Sequence, residues 1–170
     1  ELPGVGPEGI NEDFPVDGPR TLYGATKYAS EVMVQEYAAQ LGVDAVINRC
    51  GVLAGPWQMG KEDQGVITLW VARHVYGLPL KYIGYGGRQV RDVLHVADLA
   101  DLVVTQLRWP HPLGGVRVAI GGGCGISCSL RELTEVCRVV TGQEVALTTE
   151  DSVRPGDIPW YVTDSRRGRV

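Results

Sequence analysis

The sequence has little of what marks a secreted, membrane-spanning or nucleic-acid-binding protein. Its four cysteines, Cys50, Cys124, Cys128 and Cys137, follow no secreted disulfide spacing. The Cys124-x-x-x-Cys128 pair has neither a matching second pair nor a nearby histidine, which argues against a metal site. The expectation is a reduced, cytoplasmic protein. No apolar run approaches the length of a membrane span. The opening ELPGVGPEGINEDFP lacks the basic and apolar segments of a secretory leader. Positive charge is also short: 16 Lys and Arg stand against 20 Asp and Glu, so nothing favours a nucleic-acid partner. An anionic ligand would need local charge, and the candidates are Arg91, Arg154 and the tail residues Arg166, Arg167 and Arg169.

One further absence bears on the fold. No glycine fingerprint of the G-x-G-x-x-G kind occurs. Gly121-Gly-Gly-Cys-Gly125 is glycine-rich, but its spacing departs from that pattern and no helix opens directly on it. The first residue is not methionine, which suggests the interior of a longer gene product.

What is present alternates between helical and extended patterns. Residues 1–20, rich in Pro, Gly and acids, read as a loop. Leu22, Ala25, Ala29, Val32, Met33, Tyr37 and Leu41 fall at helical spacing and Gly42 is a natural stop. Residues 43–49 read as a strand, and 51–65 as a Gly/Pro loop too long for a simple turn. A helix is expected over 64–77, strands over 80–84 and 89–96 around a Gly-Gly turn, and a helix over 97–108. A strand over 116–121 follows. Ser129-Leu-Arg-Glu132 has the form of a capping box opening a helix that ends at Gly142, and 144–150 reads as a strand. Such alternation predicts an α/β fold with a sheet that is at least partly parallel.

Tyr23 and Lys27 stand four residues apart at the start of the first helix, on one face. A lysine ammonium there favours the ionised form of a neighbouring phenol. A phenol so tuned can exchange a proton with a sugar hydroxyl while hydride leaves the same carbon. The pair alone is also compatible with a solvated helix face.

The surroundings add weight. LYGATKYASE is followed by a strand running from Arg49 to Gly55-Pro56, then by QVRDVLHVADLADL (89–102) and by Arg154-Pro-Gly-Asp157-Ile-Pro. In this order the motifs resemble the extended short-chain dehydrogenase/reductase family, the NAD-dependent nucleotide-sugar epimerases and dehydratases. GPWQMGKEDQGV and YIGYGGRQVRD resemble its CDP-paratose/CDP-tyvelose 2-epimerase branch.

The resemblance implies the C-terminal part of a Rossmann-like doubly wound sheet, interleaved with a smaller α/β substrate-binding region. Residues 1–63 would end the NAD-binding part. Residues 64–170 would form the substrate region, with late Rossmann elements at about 89–121. Tyr23 would be the acid/base, with Lys27 tuning it and holding the cofactor ribose, and Cys50 beside the cofactor. Arg91 and Arg154 would clamp the diphosphate, with Asp157 supporting the substrate or orienting Arg154. Gln64 and Gly65 would open a helix whose amides face the diphosphate. His95 is expected to be a buried, hydrogen-bonded strand-end residue, Trp70 and His74 helix-face residues of the substrate region, and the stretch around His111 a loop. A CDP-sugar substrate, C2 epimerisation and a homodimer built partly from the Tyr23 helix are also implied. A 4-epimerase, a 4,6-dehydratase and a non-catalytic nucleotide-sugar-binding module remain as alternatives. Val52 stands where many family members carry a substrate-contacting Asn. The glycine motif, the acidic ribose ligand and the Ser/Thr partner of the tyrosine lie upstream in the family, so a fragment that binds NAD poorly and exposes an unpaired sheet edge is expected.

Overall fold

The computed structural model describes residues 2–62, 64–109 and 116–168; His111 and Arg169 fall outside them. The chain opens with a short antiparallel hairpin, β1 (Val5–Gly6) and β2 (Gly9–Ile10), inside the stretch expected to be all loop. Helix α1 (Leu22–Leu41) follows. Thr21 caps it by accepting the Gly24 amide at 3.1 Å, and Gly42, at φ 64°, ends it in the left-handed region where glycine is unstrained. Strand β3 (Val46–Cys50) follows.

The long Gly/Pro stretch contains a strand the sequence did not reveal, β4 (Val52–Ala54). Helix α2 (Val66–Val75) starts two residues later than the pattern suggested. Strand β5 (Leu80–Ile83) leads through a 3₁₀ turn to β6 (Val90–His95), and α3 (Val96–Leu107) follows directly. Then come β7 (Val116–Ile120), β8 (Ser127–Ser129), α4 (Leu130–Thr141), β9 (Leu147–Glu150) and β10 (Trp160–Tyr161).

Pairing is mostly parallel, as expected. β3 runs beside β7, β5 beside β9, and β6 is flanked in parallel by β4 and β10 and met antiparallel by β8. Strands 80–83 and 90–95 therefore do not form a hairpin. The tight Gly86–Gly87 turn hands the chain from one sheet to another.

Two apolar clusters hold these elements. In one, Leu94, Val118 and Ile120 pack with Val46, Leu53, Leu99 and Leu102 beneath the β3–β7 ladder. In the other, Trp70, Leu80, Tyr82, Leu133 and Cys137 join α2, α4 and β5. Trp70 and Tyr82 stack with ring centroids 6.1 Å apart, and both reach the Thr134 hydroxyl, at 2.9 and 2.8 Å. Trp70 and His74 lie on α2, as expected, and the face they occupy is buried; His74 Nδ1 lies 2.8 Å from the Trp70 carbonyl. The capping box is present: Ser129 accepts the Glu132 amide, and Glu132 accepts the Ser129 amide. Among the described residues, no helix is long and apolar enough to cross a membrane.

Candidate active site

A groove of about 1940 Å³ runs past the start of α1, the ends of β3 and β6, the approach to α2 and the segment before β10. That is larger than the few hundred to roughly 1,000 Å³ that hold one small ligand. Tyr23, Lys27 and Cys50 line it. Gln64, Gly65, Arg91, Arg154 and Asp157 line it as well. Residues spread from 23 to 157 in the chain thus meet on one concave surface.

The Tyr–Lys pair is preformed. Lys27 Nζ sits 5.4 Å from the centroid of the Tyr23 ring, in range for attraction between a cation and a π face. Among the described residues, neither the phenol oxygen nor the ammonium has a hydrogen-bond or ion-pair partner, so both keep their capacity for a ligand. Cys50 is half-buried, and burial pushes its thiol above the ordinary pKa.

Arg91 is already engaged. One terminal nitrogen donates to Asp157 Oδ1 at 2.6 Å and to the Ile158 carbonyl at 2.7 Å; the other donates to the Val90 carbonyl at 2.7 Å. One expectation, that Asp157 orients Arg154, changes here. Arg91 does not pair with its neighbour Asp92, which is fully buried and turns inward. Asp157 holds Arg91 rather than Arg154, whose guanidinium donates instead to the Glu62 carbonyl at 2.8 Å. The segment carrying Arg154 and Asp157 crosses to the Tyr23 helix, where Gly156 lies against the methyl group of Thr21.

Gly65 caps α2 at φ 72°, and Gln64 is tied to Lys61 through the backbone in both directions. The two residues therefore present a fixed turn at the groove. His95 is not buried: it is exposed and caps α3, Nδ1 accepting the Ala97 amide at 3.2 Å. Arg166 pairs with Asp164, and Arg167 lies near Glu12 and Asp13; neither lines the groove. Arg49 and Arg73 do line it and carried no expected role. Arg49 had a signal in its strand motif; Arg73 had none beyond its place on α2.

The family described as NAD dependent epimerase/dehydratase matches residues 1–121. The chain belongs to this family. Curated relatives include the UDP-glucose 4-epimerase of Azospirillum brasilense, 33% identical over 94% of this chain and 49% of the relative. The CDP-paratose 2-epimerase of Salmonella typhi is 29% identical over 95% of this chain and 48% of the relative. Among solved structures, the UDP-glucuronic acid 4-epimerase of Bacillus cereus, in complex with UDP-glucuronic acid and NAD, superposes with a TM-score of 0.82. It is 22% identical, and the match covers 98% of this chain and 51% of that one, a likeness of fold. The chain spans about half the length of the curated relatives it matches.

The epimerase/dehydratase residues present here fit one end of NAD. Tyr23 and Lys27 offer unpartnered hydrogen-bonding groups suited to ribose hydroxyls. The glycine run does not serve the pyrophosphate: Gly123 gives its amide to the Asp92 carboxylate at 3.1 Å. Side chains at Gly51 and Gly121 would drive into that same carboxylate. An acidic side chain fills the place an anion would need.

Proposed function

We propose that the chain is the tyrosine-bearing, substrate-gripping part of a nucleotide-sugar epimerase. The observation that carries this reading is the single groove lined by Tyr23, Lys27, Cys50, Gln64, Gly65, Arg91, Arg154 and Asp157. Bound NAD would supply hydride acceptance and return at one sugar carbon. The Tyr23 side chain, as the phenolate, would take the proton of that carbon's hydroxyl on oxidation, and the resulting phenol would return it on reduction from the other face. Lys27 offers its ammonium to ribose hydroxyls. Arg154 and the donors Arg91 has left, on Nε and Nη1, grip the diphosphate through charge-assisted hydrogen bonds, and the amides at the start of α2 add to that grip. Assembly as a homodimer through α1 fits the exposure of Met33 and Tyr37 on that helix.

Inversion at C4 of a UDP-sugar is favoured by the relative of highest identity reported above. Inversion at C2 of a CDP-sugar is favoured by residues 55–66 and 82–92, which resemble the 2-epimerase branch. Val52, half-buried on β4 and lining the groove where many members carry Asn, weighs toward the second. The deciding experiment supplies NAD with UDP-glucose or CDP-paratose and follows C4 and C2 by NMR, with Tyr23→Phe as control. Inversion lost in the control supports the reading and fixes the carbon. A 4-keto-6-deoxy product would make it a dehydratase. Nucleotide-sugar binding without turnover in a protein carrying the upstream glycine motif would leave a binding module.

A further inference from the structure

Helix α1 carries Tyr23 and Lys27, and the face it turns inward, with Ala25, Tyr28, Glu31, Gln35 and Ala38, is only half-buried. None of its 20 residues is buried. Val32, Met33 and Val34 are all exposed, at 41%, 59% and 38%. Successive positions point about 100° apart, so these side chains define no single stripe that a core could grip.

The directional tie on that face is polar. Glu31 lies in the same row as Tyr23 and Lys27, each four residues from the next. Its side chain is 11% exposed, against 19% for Arg49 on β3. Arg49 meets both carboxylate oxygens: Nη2 to Oε1 at 2.6 Å and Nε to Oε2 at 3.0 Å. Such a fork fixes direction as well as distance. Arg49 is tied in turn, Nη1 donating to the Glu12 carbonyl at 3.3 Å. The buried Glu12 carboxylate accepts the Ala119 amide of β7 at 2.6 Å. The tie therefore runs from α1 into the parallel β3–β7 ladder.

We propose that the Arg49–Glu31 ion pair is the positioning device that sets the rotation of α1 and aims Tyr23 and Lys27 into the groove. The proposal rests on the reading of Tyr23 as acid/base. Arg49 and Glu31 are positioning residues, acting through the helix.

The test uses the chain with ¹³C-labelled tyrosine rings, Tyr23 being assigned with Tyr23→Phe. Glu31→Gln and Arg49→Gln remove charges of opposite sign, so a purely electrostatic influence on the Tyr23 ring would displace its resonance in opposite directions. Direct influence is small in any case, since Glu31 lies about 12 Å along the helix axis from Tyr23, beyond the ~10 Å Debye length at 0.1 M salt. Releasing the tie from either end yields the same relaxed helix, so the expected result is displacement in the same direction in both variants. Opposite displacements, or none, with α1 still helical by circular dichroism, overturn the proposal. Should either variant fail to fold, Arg49→Lys keeps the charge and loses the fork; it is expected to show a smaller displacement, and a resonance identical to the unaltered chain overturns the proposal. Where turnover is measured, kcat is expected to fall about tenfold or more with KM within twofold, as for a misplaced reacting group. Lack of turnover in the unaltered chain would strike the proposed function and leave the resonance test standing.

Discussion

Arg91 and Asp157 lie 66 positions apart in the chain and 2.6 Å apart in the fold. Both are about three-quarters shielded from solvent, and the pair fastens the segment before β10 to β6 at the wall of the groove. A ligand diphosphate would meet a guanidinium already oriented, so little of its freedom remains to be lost on binding. Arg91→Ala is expected to weaken UDP binding by about 1.5–3 kcal/mol, the range of a charge-assisted hydrogen bond. Arg91→Lys is expected to recover only part of this, since an ammonium cannot keep the bonds to Asp157, Ile158 and Val90 and still reach the ligand. Calorimetric titration with UDP checks both.

Tyr23 and Arg91 sit on different elements, so chemistry and grip should separate. Tyr23→Phe is expected to lower kcat by roughly 10²–10⁴-fold, the usual share of a positioned acid/base. UDP affinity should stay within about twofold, because the phenol touches none of the diphosphate-binding side chains. Steady-state kinetics beside binding on the same preparation checks the separation.

Gly156 stands at φ +79°, and a Cβ there would come within 2.9 Å of the Thr21 methyl carbon. Gly156→Ala carries a left-handed penalty of roughly 1–2 kcal/mol. The contact is with the residue that caps the Tyr23 helix, so the thermal midpoint should fall. Hydrogen exchange at the Gly24 amide, bonded to the Thr21 hydroxyl, should quicken. An unchanged midpoint would show that this segment yields freely.

Acid should loosen α4. The Ser129 amide and hydroxyl hold the Glu132 carboxyl below its ordinary value. A carboxyl depressed in the folded state contributes stability above its unfolded value of about 4.5 and loses it as pH falls through the folded value. Melting curves of the unaltered protein should therefore fall more steeply below pH 4.5 than those of Glu132→Gln.

Thiol reactivity should follow exposure. Burial pushes Cys50, Cys128 and Cys137 above the ordinary thiol range, while Cys124 lies open at the surface. Iodoacetamide near neutral pH should modify Cys124 first, since the thiolate is the reactive form. Mass spectrometry of the labelled peptides reads the order.

The elements with strong local signals were legible in the sequence. The α1 pattern between Thr21 and Gly42, and the reciprocal Ser129–Glu132 cap, appear in the structure where spacing put them. β4 escaped because it spans only Val52–Ala54 between glycines, and its partner Val93–His95 is remote in sequence. The strands either side of Gly86–Gly87 and the turn between them were readable, but not their sheet partners, because β9 and β10 lie far downstream. The candidate site residues were legible only through motifs. Nothing local says that Arg91 reaches Asp157 rather than Asp92, because adjacent strand residues point to opposite faces. His95 misled because a histidine at a strand end can turn inward or cap the helix that follows, and the helix began one residue sooner than its pattern.

The groove is bounded by two apolar clusters with no shared residues, one beneath β3–β7 and one between α2, α4 and β5. Each can lose its packing without the other, so heating need not melt the chain in one step, and a single unfolding free energy would then be ill defined. A ligand touching both walls adds its binding energy only while both are folded. Occupancy would thus convert two loosely linked melting units into one cooperative unit.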